Sequence, residues 1–292
     1  VPELASRKHL QAINPVVETA LARAGVELSD IDLLAATQGP GLIGSLLVGF
    51  SYSKALSYIS NTPLVGVDHM AGHILSIFLD TPRPQFPYIA LIVSGGTSSL
   101  YLAKSVIDFK LIGRTRDDAA GEAFDKVAKL LELPYPGGPE VSREAYGGDG
   151  NSIRFPRAWL EQDSLDFSFS GLKTAVLNQV NQQRQKNGDV RVKDICASFQ
   201  EAVAEVLVEK TIKGAKMHGI DTIVIGGGVS SNTRLRNLFT QRCKSENFNF
   251  YAPQPQYCTE NAAMIALAGY HLYTHRGGIG LDQDVYSRSR LG

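Results

Sequence analysis

Cysteine is scarce in this sequence. Its three copies, Cys196, Cys243 and Cys258, lie far apart and form no CxxC pair. An odd, scattered set argues against a disulfide framework and against a cysteine zinc site, and leaves buried free thiols in a reducing cytoplasm as the reading. Net charge is also missing, since 29 Lys+Arg balance 29 Asp+Glu. A domain that grips nucleic acid unaided carries a basic excess. RNA contact here must therefore use a local patch or a partner subunit, and binding by this chain alone is expected to be weak and salt-sensitive. Long apolar runs are absent too: "YIALIV" (88–93) is of strand length, against roughly 18 residues for a membrane span. No signal-peptide pattern opens the chain, and it starts at Val1 rather than Met, which reads as a processed or truncated start. What remains is an ordinary globular composition, 43% hydrophobic and 20% charged over 292 residues, enough for one large domain or two smaller ones, each with a core.

Residues 3–24 read as a helix, with apolar positions at Leu10, Ile13, Val17, Ala20, Leu21 and Ala24, a kink or break at Pro15, and a stop at Gly25. "IDLLAAT" (31–37) is a buried-type strand, "QGPGLIGS" (38–45) a glycine-rich turn, 42–60 a helix, and "PLVGV" (63–67) a strand that runs into "VDHMAGH". Strand–loop–helix alternation of this kind implies a parallel sheet covered by helices. From Tyr88 the pattern becomes strand, glycine turn, strand and a third strand, a meander opening a second α/β domain. A helix is expected at 117–133, a loop at "PYPGGP" (134–139) and irregular chain over about 147–170. Helices follow at about 171–187 and 191–217, parted by "KNGD" (186–189). The rest reads as strand 221–228, helix 231–244, strand 247–253 and helix 260–274. The organisation is α/β in two lobes, 1–85 joined by the C-terminal helix and 86–270, with 271–292 as a polar surface tail. Such lobes would meet in a cleft lined by the glycine turns.

Four segments could carry chemistry. In "IVSGGTSS" (92–99) a strand ends in a turn without side chains, which either cradles phosphate or carbonyl oxygens or is a tight hairpin needing positive φ. In "VIGGGVSSNTRLR" (224–236) three glycines precede a helix start, more than Ser capping requires, so ligand contact is favoured and Asn232 could bond a nucleoside. "DDAAGEAFDKVAK" places Asp117, Asp118, Glu122 and Asp125 near a helix start, where they favour the helix dipole. Asp118, Glu122 and Asp125 share a face, and one of them could reach a ligand hydroxyl or ammonium. His69 and His73 stand at i and i+4, so both imidazoles can reach one ion or simply share a helix face. The glutamate of HExxH is missing, which removes the metalloprotease base. Glu260, at the start of the late helix in "CTENAAMIA" (258–266), offers a third ligand, and two His with a carboxylate suit iron or zinc with open positions.

Taken together, "VPELASRKHL", "GPGLIGSLLVG", "VDHMAGH", "SGGTSSL", "DDAAGEAFDKVAKLLELPYPGGP", "DFSFSGLKTA", "ASFQEAV", "GGGVSSN" and "CTENAAMIA" resemble the TsaD family, also called Gcp, in order and over nearly the whole chain. The resemblance implies two actin-like lobes of the ASKHA class with a central cleft, and an acyltransferase activity. The family moves a threonylcarbamoyl group from threonylcarbamoyl-adenylate to N6 of the adenosine beside the anticodon in ANN-decoding tRNAs. It further implies one divalent metal per subunit, iron in preference to zinc, on His69, His73 and Glu260. Ile92, Val93, Ser94, Gly95, Gly96, Asp125, Gly138 and Asn232 would hold the acyl-adenylate. A paralogous actin-like subunit and a small ATPase would be partners, in the cytoplasm and without a membrane. A metal can polarise the carbamoyl carbonyl, glycine-turn amides can hold oxygens, and positioning does much of the work. No residue stands out as a general base, so the catalytic residue is unassigned.

The sequence departs from the family pattern at Thr97, where histidine is usual, at Ser142, where aspartate is usual, and at Glu260, one methylene longer than the usual aspartate. The family's opening hairpin with its "ETSCD"-like motif is not in the chain, so the first lobe's sheet is expected to be incomplete. These departures motivate an alternative, a weakened or truncated member acting as a scaffold in the modification complex. A kinase of the same actin-like class and a metalloprotease fit the motifs less well.

Overall fold

The computed structural model describes residues 2–161, 163–187 and 190–291. In chain order the elements are α1 (Pro2–Ala24), β1 (Leu34–Gly39), α2 (Ile43–Ser60), β2 (Leu64–Asp68), α3 (His69–Leu75), β3 (Tyr88–Val93), β4 (Ser98–Ala103), β5 (Phe109–Arg114), α4 (Ala120–Leu130), α5 (Gly137–Glu144), α6 (Ser170–Asn187), α7 (Val192–His218), β6 (Thr222–Gly226), α8 (Thr233–Glu246), β7 (Asn249–Tyr251), α9 (Pro255–Cys258) and α10 (Ala262–Arg276). They form two compact units. The first gathers the chain up to Leu79, the segment Ser105–Phe109 and the chain from Asn261 onward; the second holds Asp80–Lys104 and Lys110–Glu260.

In the first unit β1 and β2 pair in parallel, with Leu34 opposite Leu64 and Thr37 opposite Val67. Among the described residues its sheet has these two strands. Of the kink or break expected at Pro15, a break does not occur: α1 is one continuous helix through Pro15. Gly25, at φ +67°, ends α1. α10 lies on the sheet, and Gly269 permits it: a Cβ there would stand 2.5 Å from Ala35 Cβ and 3.0 Å from Val65 Cγ2. Ala36, Phe50 and Leu64 form the core, packed by Leu34, Ile279 and Val285. The residues after α10 lie largely on the surface and are tied down there by hydrogen bonds. The Ile279 N–H donates to Leu64 O at 2.8 Å and the Tyr286 N–H to Gln38 O at 3.0 Å.

The second unit has a five-stranded sheet in the order β5-β4-β3-β6-β7. β3 and β4 are antiparallel, whereas β3–β6 and β6–β7 are parallel. Every residue of β3, β4 and β6 is buried, which explains the apolar runs in β3 and within β6. The 27-residue α7 is buried along most of its length, and Phe124 of α4 meets Phe199 of α7 edge to face, centroids 5.0 Å apart. α4 starts at Ala120, three residues later than the acidic pattern suggests, and α5 begins inside the expected "PYPGGP" loop. Gly188 and Asp189, part of the expected break between α6 and α7, lie outside the described residues. The three cysteines are buried and unbridged. Burial pushes the Cys196 thiol up to about 12, with the Glu144 charge adding to it, and the Cys243 thiol up to about 11. No helix of the described residues is long and apolar enough to cross a membrane.

A buried cation gathers carbonyls of the irregular stretch before α6. Lys210 of α7 is only 2% exposed, and its Nζ donates to the carbonyls of Trp159 (2.9 Å), Ser164 (3.1 Å) and Asp166 (2.5 Å). Burial pulls its pKa below the ordinary lysine value. Lys210→Met keeps the stem but leaves these carbonyls without a donor. Urea unfolding should show a loss of about 1–3 kcal/mol, the range for stranding buried acceptors.

Candidate functional site

The second unit carries a cavity of about 490 Å³ whose wall includes Gly95, Asp125, Gly138 and Asn232, contributed by four separated segments. The turn after β3 is closed by the Ser94 N–H donating to Thr97 O at 2.8 Å. Gly95 and Gly96 are exposed, neither has a positive φ, and a Cβ at either would meet nothing within 4 Å. The hairpin explanation for these glycines therefore loses its reason, while room for a close backbone approach remains. Ile92 and Val93 are fully buried side chains of β3; they set where the turn emerges and do not line the cavity.

The start of α4 is pressed against this turn. Its N-cap residue, Ala119, has no capping side chain, and the Ser98 hydroxyl of β4 accepts the Ala120 N–H at 2.8 Å instead. The Gly121 N–H donates to Ser94 O at 3.2 Å, and a Cβ on Gly121 would sit 2.5 Å from that oxygen. One turn further on, the Asp125 carboxylate accepts the Gly137 N–H at 2.8 Å, joining α4 to α5. Gly137 is needed for contact, since its Cβ would meet Asp125 Cα at 2.6 Å, whereas at Gly138 nothing lies within 4 Å. Of the "PGGP" glycines, the first packs and the second faces the cavity.

The triple glycine divides similarly. Gly226 ends β6. Gly227 takes φ +83° and lets β6 pass the Val93 carbonyl; Gly228 lines the cavity. Asn232 lies in the wall, but its polar atoms are engaged. Oδ1 accepts the Leu235 N–H at 3.0 Å as the cap of α8, and Nδ2 donates to Gln200 Oε1 at 2.7 Å and to Ser142 Oγ at 3.4 Å. Any nucleoside contact by Asn232 must therefore share a side chain already used to anchor α8. Ser142 thus touches Asn232 directly.

The acidic cluster separates into different tasks. Lys126 pairs with Asp118 (2.6 Å) and Glu122 (2.7 Å). Asp117, outside α4, accepts the Ser168 and Ser170 hydroxyls (2.5 and 2.8 Å) and the Phe169 N–H (2.8 Å). Burial pushes the Asp117 pKa up, but these hydrogen bonds outweigh it and hold the carboxyl below the usual range. Asp117 thereby anchors the "FSFSG" segment at the start of α6, a role that reading along the chain misses because its partners are about fifty residues away. Tyr135, an 84% exposed aromatic on the cavity wall, was also not singled out.

In the first unit, β2 runs directly into α3, and Asp68 caps it by accepting the Met70 N–H at 2.9 Å. The His69 and His73 rings stand 4.7 Å apart at 85°; His73 is buried and His69 half-buried. α10 crosses the same short helix, and a Cβ on Gly72 would meet Ile265 Cδ1 at 3.0 Å. Asn261 caps α10 by accepting the Met264 N–H at 2.9 Å. Glu260 is exposed and is bonded directly to this capping residue.

Residues 1–267 match the family described as tRNA N6-adenosine threonylcarbamoyltransferase, TsaD. The chain belongs to the TsaD family. Curated relatives carrying the same description include one from Desulfotalea psychrophila, 62% identical over 100% of this chain and 86% of its own, and one from Syntrophus aciditrophicus, 53% identical over 93% and 80%. Among solved structures, full-length HypF in its phosphate- and nucleotide-bound form aligns with TM-score 0.67 at 14% identity, over 92% of this chain and 51% of that one. Component A of (R)-2-hydroxyglutaryl-CoA dehydratase from Acidaminococcus fermentans aligns with TM-score 0.51 at 16% identity, over 85% and 78%. At these identities the likeness carries the fold alone, which is that of the actin-like ASKHA class.

The geometry separates packing glycines from cavity glycines in this TsaD chain. Gly121→Ala should cost about 1–3 kcal/mol in urea unfolding, because its methyl overlaps the Ser94 carbonyl. Gly138→Ala should stay within about 0.5 kcal/mol of the parent, because the added methyl meets open space.

Proposed function

We infer that this chain is a tRNA N6-adenosine threonylcarbamoyltransferase, an acyltransferase that modifies tRNA. The observation that carries this is the convergence of Gly95, Asp125, Gly138 and Asn232, the four dispersed family positions, on one cavity, in a chain whose relatives share up to 62% identity over its whole length. The scaffold alternative is not favoured by relatives of that closeness.

We assign the cavity to threonylcarbamoyl-adenylate, with the turn at Gly95 and Gly96 admitting acyl or phosphate oxygens close to the backbone and Asp125 facing a ligand hydroxyl. Ile92, Val93 and Ser94 act by fixing that turn. The N6 amine of the adenosine next to the anticodon in ANN-decoding tRNAs attacks the carbamoyl carbon. The bond from that carbon to the phosphate oxygen breaks, AMP leaves with the electron pair, and the amine gives up a proton. An aromatic amine is a weak nucleophile, so the activated donor and its orientation supply much of the rate; no side chain is assigned as general base.

Two imidazoles on one helix turn, with a carboxylate at the residue preceding the cap of the helix packed on that turn, form a donor set that fits a divalent transition metal. His69, His73 and Glu260 would hold one ion, iron in preference to zinc. Its chemistry, when bound, is Lewis-acid polarisation of the carbamoyl carbonyl. Thr97 closes the turn through its backbone carbonyl. We further place the reaction in the cytoplasm, with a paralogous actin-like subunit and a small ATPase as partners, consistent with a neutral chain that needs help to hold tRNA.

The full-length protein, combined with those partners, threonylcarbamoyl-adenylate and tRNA, should yield threonylcarbamoyladenosine by nucleoside mass spectrometry. No modified nucleoside in that mixture would return the scaffold reading. His69→Ala and His73→Ala should each remove bound metal by elemental analysis; unchanged metal content would reject the ligand assignment.

A further inference from the structure

Asp68 lies between the core strand β2 and the histidine helix α3, and it is only 6% exposed. Its two carboxylate oxygens face different parts of the chain. Oδ1 accepts the Met70 N–H at 2.9 Å and so caps α3. Oδ2 accepts three donors from the segment after α10: the Tyr286 hydroxyl at 3.1 Å, the Ser289 hydroxyl at 2.9 Å and the Arg290 N–H at 3.2 Å. Four hydrogen bonds on one buried carboxylate are far more than a seven-residue helix needs for its cap.

The segment that supplies these donors is seated by its own contacts. The Tyr286 N–H donates to Gln38 O at 3.0 Å, and Gln38 Nε2 donates to Asp284 O at 2.8 Å. The Arg290 guanidinium lies over the Tyr286 ring, 4.3 Å from its centroid. Gly39 has no side chain at the point where Tyr286 passes; any Cβ there would overlap the tyrosine. Sequence reading treats 271–292 as a surface tail because its polar residues find their partner more than two hundred positions earlier.

We propose that Asp68 and the strap 284–290 form a positioning device for the histidine pair, in which the strap clamps the carboxylate that caps α3 and thereby holds His69 and His73 in one fixed orientation. Neither Asp68 nor the strap touches substrate; they act through the helix. The consequence for metal affinity rests on the ligand assignment above, while the mechanical part does not. Charge-assisted bonds from several directions leave a carboxylate little freedom. A seven-residue helix has too few internal hydrogen bonds to hold itself rigid, so its cap decides how firmly its side chains are aimed. Groups that orient ligating histidines typically alter metal affinity 10–100-fold when removed.

The test uses the full-length protein and two variants. Tyr286→Phe combined with Ser289→Ala removes two strap donors and leaves the cap untouched. Asp68→Asn keeps an acceptor for the Met70 N–H but turns an N–H group toward the Arg290 N–H, which cannot accept it. Both should fold with parental circular dichroism, speed amide exchange over Met70–Ile74 by about 10-fold, and raise the dissociation constant for added Zn²⁺ by about 10-fold. Parental exchange rates together with parental Zn²⁺ affinity would overturn the proposal. If the parent protein takes up no Zn²⁺ or Fe²⁺, the ligand assignment fails by itself, and the exchange measurement decides the strap: acceleration upholds it and parental rates overturn it.

Discussion

The seam between the turn after β3 and the first turn of α4 is the constraint on which the second unit's cavity depends. Ser98 Oγ accepts the Ala120 N–H and Ser94 O accepts the Gly121 N–H. A helix that begins without a capping side chain thus borrows its acceptors from the sheet. The arrangement works only because residue 121 has no Cβ. It fixes the direction in which α4 leaves the sheet, and hence where Asp125 stands one turn later. From Asp125 the constraint passes to α5 through the Gly137 N–H. It reaches the wall of the cavity at Gly138, where the backbone is open.

Charged groups recur as organisers in both units, two of them buried (Lys210 and Asp68) and one, Asp117, exposed. Asp117 gathers the chain before α6, Lys210 gathers the carbonyls of the irregular stretch before it, and Asp68 gathers the strap after α10. Each satisfies donors or acceptors of irregular backbone, and around Lys210 and Asp68 this happens in a buried setting, where a stranded polar group is costly. This explains how a chain with long segments outside helices and strands still presents a defined cavity. It also explains why the acidic run 117–125 is heterogeneous: its members face a loop, a lysine and a cavity by turns.

Much of the architecture was legible from pattern. The buried strands β3 and β6 are unbroken apolar runs, α2, α7 and α8 match the expected helices closely, and the glycine turns fall where strands end. The differences have specific causes. Asp117 and Asp118 read as the first turn of α4 because carboxylates favour helix starts, yet Asp117 is recruited by Ser168 and Ser170. The "PYPGGP" loop turns into α5 at Gly137 because Asp125 supplies the acceptor for its first N–H. Asn232 read as a nucleoside ligand; it stands in the cavity wall, and its side chain also caps α8 and bonds Gln200, a role that spacing did not show.

The sequence by itself determined the family, the α/β class and the chemistry available, because spacing and residue type carry that information locally: two imidazoles four apart, glycines after strands, a carboxylate before a late helix. The tertiary structure alone decided which glycine packs and which opens onto a cavity, since a Cβ clash depends on atoms from another element. It likewise decided that Tyr286 and Ser289 meet Asp68. A hydrogen bond between groups some 220 residues apart leaves no periodic trace along the chain, and only folding brings its two ends together.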